Sequence, residues 1–168
     1  MTTLPQEGRA FVFGDNIDTD VLAPGSLMKL SPQALATHCL EAVDPAFASE
    51  VRPGDVVVAG ANFGLGSSRE QAAVSLKLLG VQAVLATSFA RIFWRNAINL
   101  GLPAIVFPQA REVQAGDRLA VDTAAGRVRN LTQNRSYEIQ PLPHHLLEMI
   151  ADGGLIAHLK RKLQASAA

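Results

Sequence analysis

Apolar and polar positions alternate along this chain in a way that assigns most of its elements. "RAFVFG" (Arg9 to Gly14) is a short apolar run bounded by polar and glycine positions, and it predicts a strand. "RPGDVVVAG" is a turn feeding a buried strand, Val56 to Ala59. "GLGSSREQAAVSLKLLG" follows, with Ala72, Ala73, Leu76 and Leu79 on one helical face and Gly80 as the stop. "VQAVLATSF" predicts a strand. "SFARIFWRNAINLG" predicts a second amphipathic helix, capped by Ser88 and closed by Gly101, and "LPAIVFP" a further strand. Strand and helix in alternation imply a partly parallel sheet covered by helices.

The texture differs at both ends. After "RAFVFG" comes the acidic "DNIDTD" (Asp15 to Asp20), then a loop, "LAPGSLMKLSP", and a short helix, "PQALATHCL", entered through Ser31 and Pro32. Beyond Pro108, "AGDRLAVDTAAGRVRN" and "SYEIQPLP" alternate with period two between turn residues, which predicts an antiparallel patch. "HHLLEMIADGGLIAHLKRKL" reads as two helices divided at Gly153-Gly154, with His158 on the outer face of the second. No repeat or linker divides the chain. The expectation is a single domain over residues 1–168, frayed at about 1–8 and 164–168.

Composition narrows the function classes. A length of 168 residues with 48% hydrophobic and 18% charged positions supports a real core and argues against disorder. Lys+Arg and Asp+Glu both number 15, so no overall basic field exists to attract nucleic acid or an anionic membrane. The start, "MTTLPQEGRA", lacks the basic-then-apolar pattern of an export signal, and no apolar run approaches the roughly 20 residues that span a bilayer. The expected location is the cytoplasm, and neither nucleic acid nor membrane is an expected partner. One cysteine, Cys39, rules out an intrachain disulfide framework and any multi-thiolate metal site built from this chain alone. Cys39 itself is expected to be a small buried hydrophobe.

The candidate chemistry lies in "NFGLGSSREQAA". One reading is a capping box: Ser67 accepts from the Glu70 amide, and Glu70 reaches back. The other is an anion site. Gly64 and Gly66 let a ligand approach the backbone, the first amides of the following helix favour negative charge, and Ser67 and Ser68 add hydroxyls. Arg69 adds a planar fork that fits a carboxylate or phosphate at two points. A Walker loop is excluded, because Gly66 is followed by Ser67 and not Lys; the dinucleotide fingerprint fails at Arg69, where its last glycine belongs. Asp15, Asp18 and Asp20 lack the glycine and distal glutamate of a calcium loop, so Asp15 and Asp18 are expected to serve turns or caps. No metal site is expected in this chain.

Four separated segments resemble one family. "GDNIDTDVLAPG", "GANFGLGSSREQAA", "SFARIFWRNAINLGLPAI" and "ADGGLIAHLKRKL" are similar, in order, to motifs of the swivelling domain of the aconitase superfamily. A free-standing domain of this length is similar to the small subunits of 3-isopropylmalate dehydratase and its relatives. The resemblance implies an α/β fold, a swivelling three-layer β/β/α domain. It implies a hydro-lyase that isomerises 2-isopropylmalate and 3-isopropylmalate by dehydration and rehydration, a step of leucine biosynthesis. It implies a large iron–sulfur subunit as partner, in a heterodimer or heterotetramer, carrying a 4Fe–4S cluster, and a small di- or tricarboxylate substrate.

Carried over by position, Ser67 matches the serine base and Asp20 an active-site aspartate. Arg69 matches the arginine that binds substrate carboxylate, and Ser68 and Gly66 neighbouring substrate contacts. "SLMK" (Ser26 to Lys29) sits where relatives set specificity, which makes Lys29 a candidate contact for an extra carboxylate. Leu65 replaces a frequent cysteine, Gln71 a frequent histidine, and "SLMK" lacks the common tyrosine. Homoaconitate, citramalate or a dimethylmalate are therefore alternative substrates, and a non-catalytic anion-binding or regulatory module is the alternative of another class.

Overall fold

The computed structural model describes residues 5–167. One seven-stranded mixed sheet organises it, in the order β4-β3-β2-β1-β5-β6-β7. β1 (Glu7–Val12), β2 (Val56–Ala59), β3 (Ala83–Ala86) and β4 (Ala104–Val106) run parallel. β5 (Arg118–Asp122), β6 (Arg127–Asn130) and β7 (Arg135–Glu138) continue from β1 as an antiparallel meander. β2 and β3 are buried at every position, which is why they read as unbroken apolar runs.

Alternate residues of those strands enter two different cores. Val56, Val58 and Leu85 pack with Leu119, Val121 and Val128, so the antiparallel half folds back over one face of the parallel half. Phe107 and Tyr137 meet across this layer, ring centroids 5.3 Å apart and nearly perpendicular. Val57 and Val84 point the other way, onto the helices. The result is the β/β/α layering. The helices are α1 (Thr19–Leu22), α2 (Pro32–Ala36), α3 (Phe47–Glu50), α4 (Gln71–Leu78), α5 (Arg91–Asn99), α6 (His144–Ala151) and α7 (Leu155–Ser166).

The sequence pattern and the structure differ in four places. Ser88 does not cap α5; its hydroxyl accepts from the Asn62 amide at 2.8 Å, and Ala90 occupies the cap position. α2 stops at Ala36, because Thr37 turns its hydroxyl back onto the Ala34 carbonyl. His158 is buried, 7% exposed, and its Nδ1 lies 2.6 Å from Asp152. Gly153 and Gly154, at φ +93° and +123°, fold α7 back so that Asp152 meets both His158 and Arg161. The expected frayed ends fall partly on 1–4 and 168, outside the described residues; Glu7 and Gly8 pair within β1, and α7 continues through Ser166.

The parallel ladder of β1 and β2 carries the site. Beyond the strands it persists as an irregular strap. Phe13 donates to the Val58 carbonyl, Asn16 to Ala61, Gly64 to Ile17 and Thr19 to Leu65, at 2.7–2.8 Å. "DNIDTD" thus runs beside "ANFGL", although 46 residues separate Asn16 from Asn62, whose side chains bond at 2.9 Å. Phe63 is fully buried and packs edge-on against Phe93 of α5 at 5.1 Å. Gly64 presses so closely on Phe93 that a Cβ there would lie 2.2 Å from the ring.

Candidate functional site

At the end of the strap, residues 62–70 and 17–25 form one polar cluster. Thr19 is its buried centre, 3% exposed. Its Oγ1 accepts from the Ser67 amide at 3.0 Å and lies 3.0 Å from the Ser67 hydroxyl. Gly66, at φ +112°, turns the chain into this position; a Cβ there would stand 3.0 Å from Thr19 Oγ1. The Ser67 Oγ also accepts from the Arg69 amide at 3.3 Å. Ser67 and Ser68 themselves are exposed.

This geometry corrects the capping-box reading. α4 begins at Gln71, its cap position is Glu70 in helical conformation, and no side chain caps it. Ser67 cannot serve the helix, because Thr19 holds both its amide and its hydroxyl four residues upstream. The candidate anion cradle is therefore the loop that carries the Ser67 hydroxyl and the Arg69 guanidinium, rather than the tip of α4.

Arg69 is oriented from one side. Its Nη1 donates to Asp20 Oδ1 at 3.2 Å and to the Ala23 carbonyl at 3.0 Å. Asp20 also accepts from the Gly25 amide at 2.8 Å. That backbone bond, then the Arg69 guanidinium, lowers the Asp20 pKa below the ordinary carboxylate value. The tie fastens the 3-10 turn Gly25–Leu27 to the serine loop. The backbone of Gly25 lies so near the pair that a Cβ would be 3.1 Å from Arg69 Nη2.

The other candidates take no part in the side-chain hydrogen bonds that join Thr19, Ser67, Arg69 and Asp20. Lys29 is exposed beyond the 3-10 turn and makes no ion pair or hydrogen bond to it among the described residues. Ser68 offers its carbonyl to Asn96 of α5 at 3.3 Å. Asp18 caps α1 by accepting from Val21 at 2.8 Å, and Asp15 accepts from Ala61 at 2.7 Å. Sequence reasoning missed Thr19. Its only signal was its place between two acidic residues in "DTD".

The chain's donor set does not fit an iron–sulfur cluster. Cys39 is fully buried in the helix-side core, and burial pushes its thiol far up. Among the described residues no three His, Cys, Asp or Glu side chains group as metal ligands. No helix there is long and apolar enough to cross a membrane.

Comparison with known proteins decides the family. Residues 28–110 match the aconitase C-terminal domain. The 3-isopropylmalate dehydratase small subunit of Wolinella succinogenes is 47% identical over 159 residues, which span 94% of this chain and 95% of that one. The chain belongs to the 3-isopropylmalate dehydratase small-subunit family. A crystal structure titled 3-isopropylmalate dehydratase, from Methanocaldococcus jannaschii, superposes with a TM-score of 0.89 at 41% identity, covering 96% of this chain and 98% of that one. The fold of the family is therefore the fold of this chain, as the motifs implied. A homoaconitase small subunit from Methanothermobacter thermautotrophicus is 49% identical over 90% of this chain and 88% of its own length. Within the family, then, relatives of similar identity carry names for different substrates.

Proposed function

We propose that this chain is the small subunit of a hydro-lyase that interconverts 2-isopropylmalate and 3-isopropylmalate, and that it lends Ser67 and Arg69 to a large iron–sulfur subunit. The observation that carries the proposal is the pairing of an exposed Ser67 hydroxyl with a pre-oriented Arg69 guanidinium on one loop. The printed names of the relatives support it. The whole chain acts as one swivelling domain in this reading.

Arg69 takes a substrate carboxylate, its plane set beforehand by Asp20 and Ala23. Ser67 Oγ takes a proton from a substrate carbon. The C–H pair becomes the new C=C bond as hydroxide leaves the neighbouring carbon; readdition with exchanged positions gives the isomer. An unassisted serine is too weakly acidic for this, so its alkoxide needs donors, and the Arg69 amide is one. Ser68 and Gly66 border the same opening and complete the substrate contacts. The partner's 4Fe–4S cluster supplies Lewis acidity toward the substrate hydroxyl when bound.

The test is to purify this chain and its large subunit separately, mix them without oxygen, and assay 2-isopropylmalate, homoaconitate and citramalate. Turnover only in the mixture, with 2-isopropylmalate preferred, is expected. No turnover of any of them would leave the non-catalytic reading. A homoaconitate preference is the second reading, favoured by the Methanothermobacter relative and by an exposed Lys29 that follows the Gly25–Leu27 turn tied to Asp20. It requires Lys29→Ala to depress homoaconitate turnover selectively.

A further inference from the structure

We infer that Thr19 is a positioning residue for the reaction: its buried hydroxyl donates to Ser67 Oγ and, with the Arg69 amide, forms a two-donor seat for the Ser67 alkoxide. The inference rests on the proposed role of Ser67 as base.

The direction follows from the alkoxide, which has no proton to give, so that of the two hydroxyls only Thr19 can donate. Thr19 Oγ1 already accepts from the Ser67 amide at 3.0 Å. A hydroxyl carries one proton and two lone pairs. With a lone pair used on that amide, the proton is free for Ser67 Oγ, also 3.0 Å away. The Arg69 amide reaches the same oxygen at 3.3 Å. Two donors thus converge on Ser67 Oγ from the protein side. An alkoxide oxygen has three lone pairs, so one direction is left, toward the exposed side where a substrate would lie.

The surroundings keep this seat rigid. Thr19 is buried, and its own amide donates to the Leu65 carbonyl at 2.8 Å. Asp18 caps the short helix that Thr19 begins. Gly66 packs against Thr19 Oγ1 where an added Cβ would make a tight 3.0 Å contact. A donor held in place before the charge forms costs no reorganisation when it does, and removal of one such donor typically lowers turnover by roughly 10²-fold or more. Thr19 neither gains nor loses a proton in the step. It stabilises the oxygen that does.

The experiment uses the assembled two-subunit enzyme with Thr19→Val, Thr19→Ser and Ser67→Ala, and reads kcat and KM separately together with the isotope effect on substrate deuterated at the abstracted carbon. Thr19→Val should lower kcat by roughly 10²-fold with KM within about twofold, and should raise the isotope effect, because only the charged oxygen loses a donor. Thr19→Ser, which keeps the hydroxyl, should recover kcat to within about threefold of wild type. If Thr19→Val does not assemble, Thr19→Cys takes its place; its weak S–H donor should give a kcat clearly below that of Thr19→Ser. A valine variant with unchanged kcat, a change in KM alone, a serine variant as impaired as valine, or a cysteine variant at wild-type kcat would overturn the inference. If Ser67→Ala is also fully active, the reading of Ser67 as base has failed, and the inference fails with it.

Discussion

Gly64→Ala probes the seating of the serine loop on the helix layer. The added Cβ would lie 2.2 Å from Phe93 Cγ and 2.3 Å from Phe93 Cβ. Carbon atoms settle at about 3.5–4.0 Å, so the loop or α5 must yield by more than an ångström. Gly64 also sits at φ +83°, where a side chain costs about 1–2 kcal/mol. Overpacking against a fully packed ring adds about 1–3 kcal/mol. The sum, roughly 2–5 kcal/mol, corresponds to a fall in Tm of about 4–20 °C for a chain of this size. The assay is thermal unfolding followed by circular dichroism, with Phe93→Ala and the double variant beside it. Phe93→Ala alone should cost about 3–5 kcal/mol. In the double variant the overlap is gone, so the two costs should fall short of adding by about 1–3 kcal/mol. Additivity within about 0.5 kcal/mol, or a Tm change under about 2 °C for Gly64→Ala, would refute the packing argument.

Three further outcomes are expected. Lys77 donates to the carbonyls of Leu100 and Gly153 at the ends of two helices, so Lys77→Met should lower stability by about 1–3 kcal/mol in urea titration; an unchanged midpoint would contradict this bracing role. Cys39 is buried and its thiol is pushed up, so iodoacetamide at about pH 8 should label it only after denaturation, and prompt labelling of the folded chain would contradict its burial. Asp20 is held ionised by the Gly25 amide and Arg69. A carboxylate whose pKa is lowered on folding contributes stability that is complete above its ordinary value of about 3.9 and is lost as pH falls through the lowered value. Between about pH 5 and pH 2, wild type should therefore lose more urea resistance than Asp20→Asn, and parallel losses would contradict the tie.

Local chemistry made much of the fold legible and left the site half-read. The unbroken "VVVA" of β2 could belong only to a strand covered on both faces, and it is buried throughout. Gly80 and Gly101, at φ +88° and +81°, stop α4 and α5 where glycine after a helical face suggests. The failures at Ser67 and Ser88 share one cause, contacts distant in sequence. Ser67 has the local signature of a cap, but a threonine 48 residues earlier claims its amide and hydroxyl. Ser88 has the same signature and goes instead to Asn62, 26 residues away. His158 follows a helical face toward solvent until two consecutive glycines bring Asp152 over it. The chemistry of Arg69 makes it a candidate anion ligand in the sequence. Its orientation by Asp20 is not legible there, because it depends on the strap that extends the β1–β2 ladder.

The most direct measurement is the turnover of 2-isopropylmalate by the large subunit assembled with Ser67→Ala. The account expects the variant to fold and assemble as wild type does, to bind substrate with a similar KM, and to lose kcat by at least about 10³-fold. A Ser67→Ala complex that turns over at the wild-type rate would contradict it.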